Sequence, residues 1–300
     1  MRYLLLLFLF AINCFRSHAQ HHEISFGLGM ANYIGDLSPK HNTESPFNFL
    51  NSQNIKASYT LGYKYNFEEF FSIGINASFM NVSAYDSDNA DVKQYNDAFF
   101  RYIRNLSFYS DITEVNAMVG FEPFRNFNNW NNDKILISPI ISAGIGFFSF
   151  DPKASYNGQE VSLRALSTEG QGLTGGPSKY STTAFSFPIG LGVKAYFPQR
   201  NFWIGLEGVY RYTSTDYLDD VSTSYYSDPT FSGTSTPALS AALAQRRLEI
   251  DPNNIYDYVT APGQQRGDKN NNDVFWTLQL KIGYNLFPTS GKNYGCYKIR

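Results

Sequence analysis

The sequence predicts an all-β fold: an eight-stranded antiparallel transmembrane β-barrel with long extracellular loops and short periplasmic turns. Three observations predict it. Eight segments alternate apolar residues with polar or small ones at a period of two, the repeat of a strand whose two faces meet different surroundings. The connections between these segments are alternately short and long. Of the 300 residues, 17% are aromatic, with 26 Phe and 22 Tyr spread through the alternating segments, as aromatic girdles require. Beyond the leader no apolar run approaches the roughly 20 residues of a spanning helix, which excludes a helical membrane protein.

The N-terminus reads as an export signal over residues 1–19. Arg2 supplies the positive region, residues 4–12 the short apolar core, and Ser17-His18-Ala19 the cleavage positions, so Gln20 begins the mature chain. Cys14 raises a lipoprotein alternative, for which Asn13 is a poor fit. Cleavage leaves Cys296 as the one cysteine, so no intrachain disulfide forms. A net charge of -2 gives no reason to expect nucleic acid. The expected organisation is a leader (1–19), a barrel (20–287) and a periplasmic tail (288–300).

The expected strands span residues 23–31, 55–65, 70–81, 110–121, 135–148, 183–197, 202–213 and 273–287. The first alternates Ile24, Phe26, Leu28 and Met30 with Ser25, Gly27, Gly29 and Ala31; the second sets Tyr59, Leu61 and Tyr63 against Ser58, Thr60 and Lys64. The third carries Phe71, Ile73, Ile75 and Phe79 on one face, and the fourth Val115, Val119 and Phe121. The fifth, the most apolar, contains Pro139, where a bulge is expected because proline cannot donate to a ladder. The sixth has Phe185, Phe187, Ile189 and Leu191; the seventh Phe202, Ile204, Leu206, Tyr210 and Tyr212. The eighth, with Trp276, Leu278, Leu280, Ile282 and Tyr284, closes the barrel against the first. Residues 66–69, 122–134 and 198–201 are turns on the periplasmic side; residues 32–54, 82–109, 149–182 and 214–272 are long external loops. With an even strand count both termini fall in the periplasm, and the protein is integral to the outer membrane and its lipid.

An eight-stranded barrel is just wide enough for its own side chains to fill. Lys56, Lys64, Glu114, Lys194, Glu207, Arg211, Gln279 and Lys281 are expected to point inward. Acids and bases are mixed there, so they can pair across the lumen as a polar plug, with the inward Gly and Ser residues making room for them; the other reading is a solute channel. Tyr63, Tyr65, Phe71, Phe121, Phe197, Phe202 and Tyr284 would mark one membrane interface, and Phe79, Phe147, Phe185, Tyr210, Tyr212 and Trp276 the other.

Sites of chemistry are scarce. Asp216, Asp219, Asp220 and Asp228 are the residue types of a calcium site or an acid–base pair, but their setting reads as a solvated, turn-rich loop. The run 268–273 lacks the Gly and the bidentate acid of a calcium loop. His18, His21, His22 and His41 have no zinc spacing, and His21-His22 reads as a disordered mature N-terminus. The Gly-rich stretch 170–177 neither follows a strand nor opens a helix. No nucleophile and base pair up, so neither an enzyme, a metal nor a cofactor is expected. Residues 236–250 suit a short helix with Pro237 in its first turn.

Two short stretches carry a family resemblance. Asn32-Tyr33-Ile34-Gly35-Asp36-Leu37 closes the first strand, and Thr215-Asp216-Tyr217-Leu218-Asp219-Asp220-Val221-Ser222 follows the seventh. With the leader and the length, they make the chain similar to the PorG-like outer-membrane barrels of the Bacteroidota type IX secretion system. The resemblance implies a non-catalytic scaffold that docks a periplasmic ring, formed by a lipoprotein and its partner (PorK- and PorN-like), to the outer membrane. Contacts to that ring would come from the periplasmic face. There, Phe124, Phe127 and Trp130 stand among Asn residues, as a protein-contact surface or equally as an anchor in lipid headgroups, and the tail adds Lys292, Lys298 and Arg300.

Overall fold

A computed structural model of the protein describes residues 21–37, 54–67, 70–90, 96–125, 135–197 and 201–286. Eight long strands follow the alternating segments: β1 (His21–Ile34), β2 (Lys56–Asn66), β3 (Phe71–Tyr85), β4 (Ser107–Phe121), β5 (Leu136–Ser149), β8 (Thr183–Tyr196), β9 (Phe202–Thr213) and β10 (Val274–Asn285). Each pairs antiparallel with the next, from β1 through β5, then β8, β9 and β10. β10 then returns to β1, with Leu28 opposite Leu280 and Gly27 opposite Lys281, so the sheet closes into a barrel without a free edge.

The sidedness is set by chemistry. Every strand carries a row of apolar residues that point outward and remain exposed, with Ile137 and Leu191 each 62% accessible. Ser58, Ser72, Ser78, Glu114, Ser138 and Gln279 point inward and are buried. A contiguous apolar band of this size is untenable against water and suits lipid hydrocarbon. On β8 the band runs from Phe185 to Ala195. That is about 33 Å along the strand at ~3.3 Å per residue, or roughly 23–27 Å of depth at the ~35–45° tilt of such barrels, enough for the hydrocarbon core. Aromatic residues rim it: Phe71 touches Phe121 and Phe197 touches Phe202 at the short-turn end, while Phe147 meets Phe185 and Tyr210 meets Tyr212 at the loop end. Trp276 departs from the expected girdle, because it is buried.

The structure corrects several expectations. β3 and β4 run on past the band to pair Tyr85 with Ser107, where Val82, Ser83 and Ala84 are all buried and the two-residue alternation lapses. Pro139 makes no bulge: it stays in register opposite Val193. Pairing of β5 with β4 stops at Ile141, so a missing N–H on that open side breaks no ladder bond. His21 and His22 belong to β1, opposite Asn66 and Tyr65, and His22 Nδ1 lies 2.6 Å from the Tyr63 hydroxyl. The loop between β5 and β8 contains a hairpin, β6 (Pro152–Tyr156) and β7 (Gln159–Ser162), turned at Asn157-Gly158, both with positive φ. The loop between β3 and β4 contains helix α1 (Asp97–Arg104), begun by the Asn96 side chain accepting from Phe99 N–H and ended by Asn105 in the left-handed region.

The loops at this end fold together as a cap. α2 (Leu163–Leu166) follows the hairpin, and α3 (Pro237–Ala244) lies within residues 236–250, with Pro237 at its start. Their Leu163, Leu166 and Leu243 join Phe108, Phe148, Phe150, Leu218 and Phe275 in one buried apolar cluster at the barrel mouth. The leader, Cys14, Cys296 and the tail 288–300 lie outside the described residues.

Candidate functional site

The lumen is filled in layers that the register stacks from the short-turn end upward. At the bottom, Glu23 and Glu122 face Lys64 and Lys194. Lys64 Nζ lies 3.2 Å from Glu23 Oε1 and 2.6 Å from Glu122 Oε1; Lys194 Nζ lies 3.2 and 3.1 Å from the same two oxygens. Tyr196 donates to Glu122 Oε2 at 2.6 Å, and the Lys194 ammonium sits 4.2 Å from the centre of the Trp203 ring. Trp203 is fully buried because Gly283 lies against its indole, where any Cβ would overlap the ring. Above, Lys281 pairs with Glu207 at 3.1 Å. Gly27 makes room for Lys281 and Gln279, since a Cβ there would press on both.

The next layer is centred on Glu114. It accepts from Arg211 Nε at 2.8 Å, Ser186 at 2.6 Å and Asn116 Nδ2 at 2.9 Å, while Asn76 donates to Asn116 and Arg211 also donates to Thr277. Gln279 donates to Ser58 at 3.0 Å. The Arg211 guanidinium then lies 5.3 Å from the Phe275 ring, where the apolar cluster begins. The carboxylates of Glu23, Glu114, Glu122 and Glu207 are thus matched by Lys64, Lys194, Arg211 and Lys281. Between the two lower layers lies a chamber of about 50 Å³, lined by Glu23, Lys64, Lys194, Trp203, Glu207 and Lys281. Its volume suits about three or four water molecules. Glu23 Oε2 and Trp203 Nε1 have no protein partner there.

Glu23 and Glu122 are the residues that reading by strand segments missed. Parity contained them: Glu23 shares the inward parity of Ser25 and Gly27, and Glu122 continues that of Glu114 and Gly120 one residue past β4. Lys56 has inward parity at the loop end of β2 but is only half-buried and makes no ion pair among the described residues. Phe124 is exposed just beyond β4. Phe127, Trp130, Lys292, Lys298 and Arg300 lie outside the described residues.

The two short motifs meet at the loop end. Tyr33 Oη lies 2.6 Å from Asp219 Oδ2 and 2.7 Å from Asp273 Oδ1. Gly35 packs over this contact, and a Cβ there would overlap both Tyr33 Oη and Asp273 Oδ1. Leu37 and Leu218 are fully buried in the same apolar cluster. Asp36 Oδ2 accepts Asp268 N–H at 2.8 Å, and its carbonyl accepts from Arg101 and Arg104. Thr215 receives the Asp273 N–H through its carbonyl, and Tyr217 stacks on Tyr180 at 4.5 Å. Tyr180 and Thr168 donate to Asp220.

The solvated loop expected around Asp216, Asp219 and Asp220 is therefore a buried joint, and of that group Asp228 alone is not buried. Folding forces the difference: the motif must cross beneath the cap to reach Tyr33. Burial drives the carboxyls of Asp219 and Asp273 well above the usual range, lifts Asp216 to about 8 and Asp220 to about 6, and also raises Asp36. Among the described residues no cluster has the make-up of a metal site.

A family model described as a domain of unknown function, DUF6089, matches residues 1–232. The chain belongs to this family. The DUF6089 region contains both motifs, the lumen residues up to Arg211, and the hairpin, and ends before β10. No curated protein matches the chain. Among solved structures it is similar to the outer membrane protein OprG from Pseudomonas aeruginosa (9% identity, 89% of this chain and 96% of that one, TM-score 0.38). It is also similar to Neisserial surface protein A (7%, 89% and 97%, TM-score 0.37) and to Ail of Yersinia pestis (13%, 89% and 99%, TM-score 0.34). Strand pairing alone, closed by β10 on β1, makes the barrel.

Proposed function

We propose that this DUF6089 protein is a non-conducting outer-membrane scaffold that docks a periplasmic lipoprotein ring of the type IX secretion system to the membrane. The observation that carries the scaffold half is the double seal. A charge-matched polar network fills the lumen, and an apolar core lies across its loop-end mouth. Passage of a solute would need both opened, at the cost of unpaired buried charge. The secretion half is supported by the likeness of residues 32–37 and 215–222 to the PorG-like barrels. Ring contacts then fall to the short-turn face, where Phe124 is exposed.

Reconstitution in planar bilayers tests the first half: the expected result is no stable conductance, and steady channels would overturn it. Deleting the gene tests the second. Loss of export of large substrate proteins, together with an altered periplasmic ring, is expected; unimpaired export with an intact ring would remove the secretion role. Capture of the native protein should bring down the ring lipoprotein and its partner.

A further inference from the structure

The Tyr33 contact has a proton deficit. A phenol carries one hydrogen, so it donates to one carboxylate only, yet Tyr33 Oη lies within hydrogen-bond distance of both Asp219 and Asp273. The second contact needs a carboxyl O–H that donates to the phenol oxygen. Both acids are buried, Asp219 at 1% exposure and Asp273 at 0%, so neither ionises into water. The far oxygen of each is already taken: Val221 N–H donates to Asp219 Oδ1 at 2.9 Å, and Leu218 N–H to Asp273 Oδ2 at 2.8 Å.

We propose that Asp219 and Asp273 share one proton through Tyr33, and that this proton latches the loop cap to the barrel and is released on alkalinisation. The latch joins three separate pieces: the end of β1, the motif segment after β9, and the residue just before β10. The groups around it leave the proton as the natural neutraliser. The turn after β1 brings Asp36 and the motif brings Asp216, the charges that act most on the pair, and both are acidic. Arg266, from the segment ahead of β10, faces Glu169 at 3.1 Å and Asp220 at 3.8 Å. Arg104 of α1 is held by Asp86 and by the carbonyls of Asp36 and Arg266, and Arg101 donates to the Asp36 carbonyl. Asp268 spends its N–H on Asp36, and Arg246, which shares a small cavity with Asp219, is held by Glu249 at 2.9 Å.

The sign follows from the direction of the shift. Both carboxyls are raised in the folded cap, so the closed form binds a proton that the released loop gives up above the ordinary carboxylate range. Closure is complete at acidic pH and is lost as pH rises through the folded value. For one linked proton, cap opening rises about tenfold per pH unit in that window.

The test is hydrogen exchange of the full chain refolded in lipid vesicles, read at residues 215–223 and 264–273 from about pH 5 to about pH 9 and corrected for intrinsic rates. In the native protein protection falls steeply with pH. In Asp219→Asn or Asp273→Asn the amide donates to Tyr33 without a titrating proton, and the slope flattens. Infrared spectroscopy at neutral pH gives a second measure on the unaltered protein: a protonated-carboxyl band beyond that of Asp216, which is lifted to about 8, and diminished in either Asn variant. A flat native profile, an unchanged slope in both Asn variants, or the absence of that band would each overturn the proposal.

Discussion

Replacing Glu122 by Gln probes the seal at its most loaded point. Glu122 is 1% exposed and accepts from Lys64 at 2.6 Å, Lys194 at 3.1 Å and Tyr196 at 2.6 Å. At an effective dielectric of ~20, attraction to each ammonium is on the order of 5–6 kcal/mol. Removing the charge cancels both, offset by the several kcal/mol that burying the carboxylate costs. It leaves Lys64 and Lys194 against Glu23 alone. The expected loss is about 3–5 kcal/mol, the range for breaking a buried pair from one side. Urea unfolding in lipid, followed by the gel shift between folded and boiled protein, measures it. The double variant Lys64→Met with Glu122→Gln removes one unpaired cation, so it should fall short of the summed single losses by more than about 1 kcal/mol. A Glu122→Gln protein within about 1 kcal/mol of the native one, or strictly additive variants, would refute the network.

Two further substitutions separate the barrel from its cap. Gly283→Ala drives a methyl into the Trp203 indole and should cost at least about 1–3 kcal/mol, seen as a lower urea midpoint of the whole barrel. Phe148→Ala empties the centre of the apolar cluster, where Phe148 meets Phe275 edge-on at 5.4 Å. It should cost about 3–5 kcal/mol, with faster proteolysis in the loops. The gel shift should persist there, because the membrane band and lower lumen are untouched.

The membrane-spanning part of the fold is legible because lipid and lumen make opposite demands on adjacent residues. Ile73 must be apolar and Ser72 must not crowd the interior, and that contrast survives at every strand. It ends where the barrel leaves the membrane. Ala31, Asn32 and Tyr33 are buried in succession, as are Val82, Ser83 and Ala84, so alternation gives no sign that β1 and β3 continue. The β6–β7 hairpin did have a local signal, the Asn157-Gly158 pair of a tight two-residue turn. The acid joint had none. Asp219 and Asp273 are 54 positions apart and Tyr33 lies 186 before Asp219, so a solvated loop and a buried joint look alike until the chain is folded.

The placement of the motifs changes what their resemblance can argue. Tyr33, Gly35, Leu37, Leu218 and Asp219 are spent inside the cap, on a shared hydroxyl, a close approach and an apolar core. Any chain that closes its barrel with this joint needs them, whatever it binds. They therefore speak for an architecture, and the partner has to be recognised by residues free to vary without loosening that joint. The lumen offers none, since its charges are already matched in pairs. What remains is the two rims. The short-turn rim is held to the lumen network through Glu122, which follows β4 and leads the chain to Phe124. A docking contact there would meet chain that is tied to the lumen through the Glu122 ion pairs. Under the proposed docking role, a contact at this rim would lie against the Glu122–Lys64–Lys194 network, while the cap and its proton stay at the opposite end of the barrel.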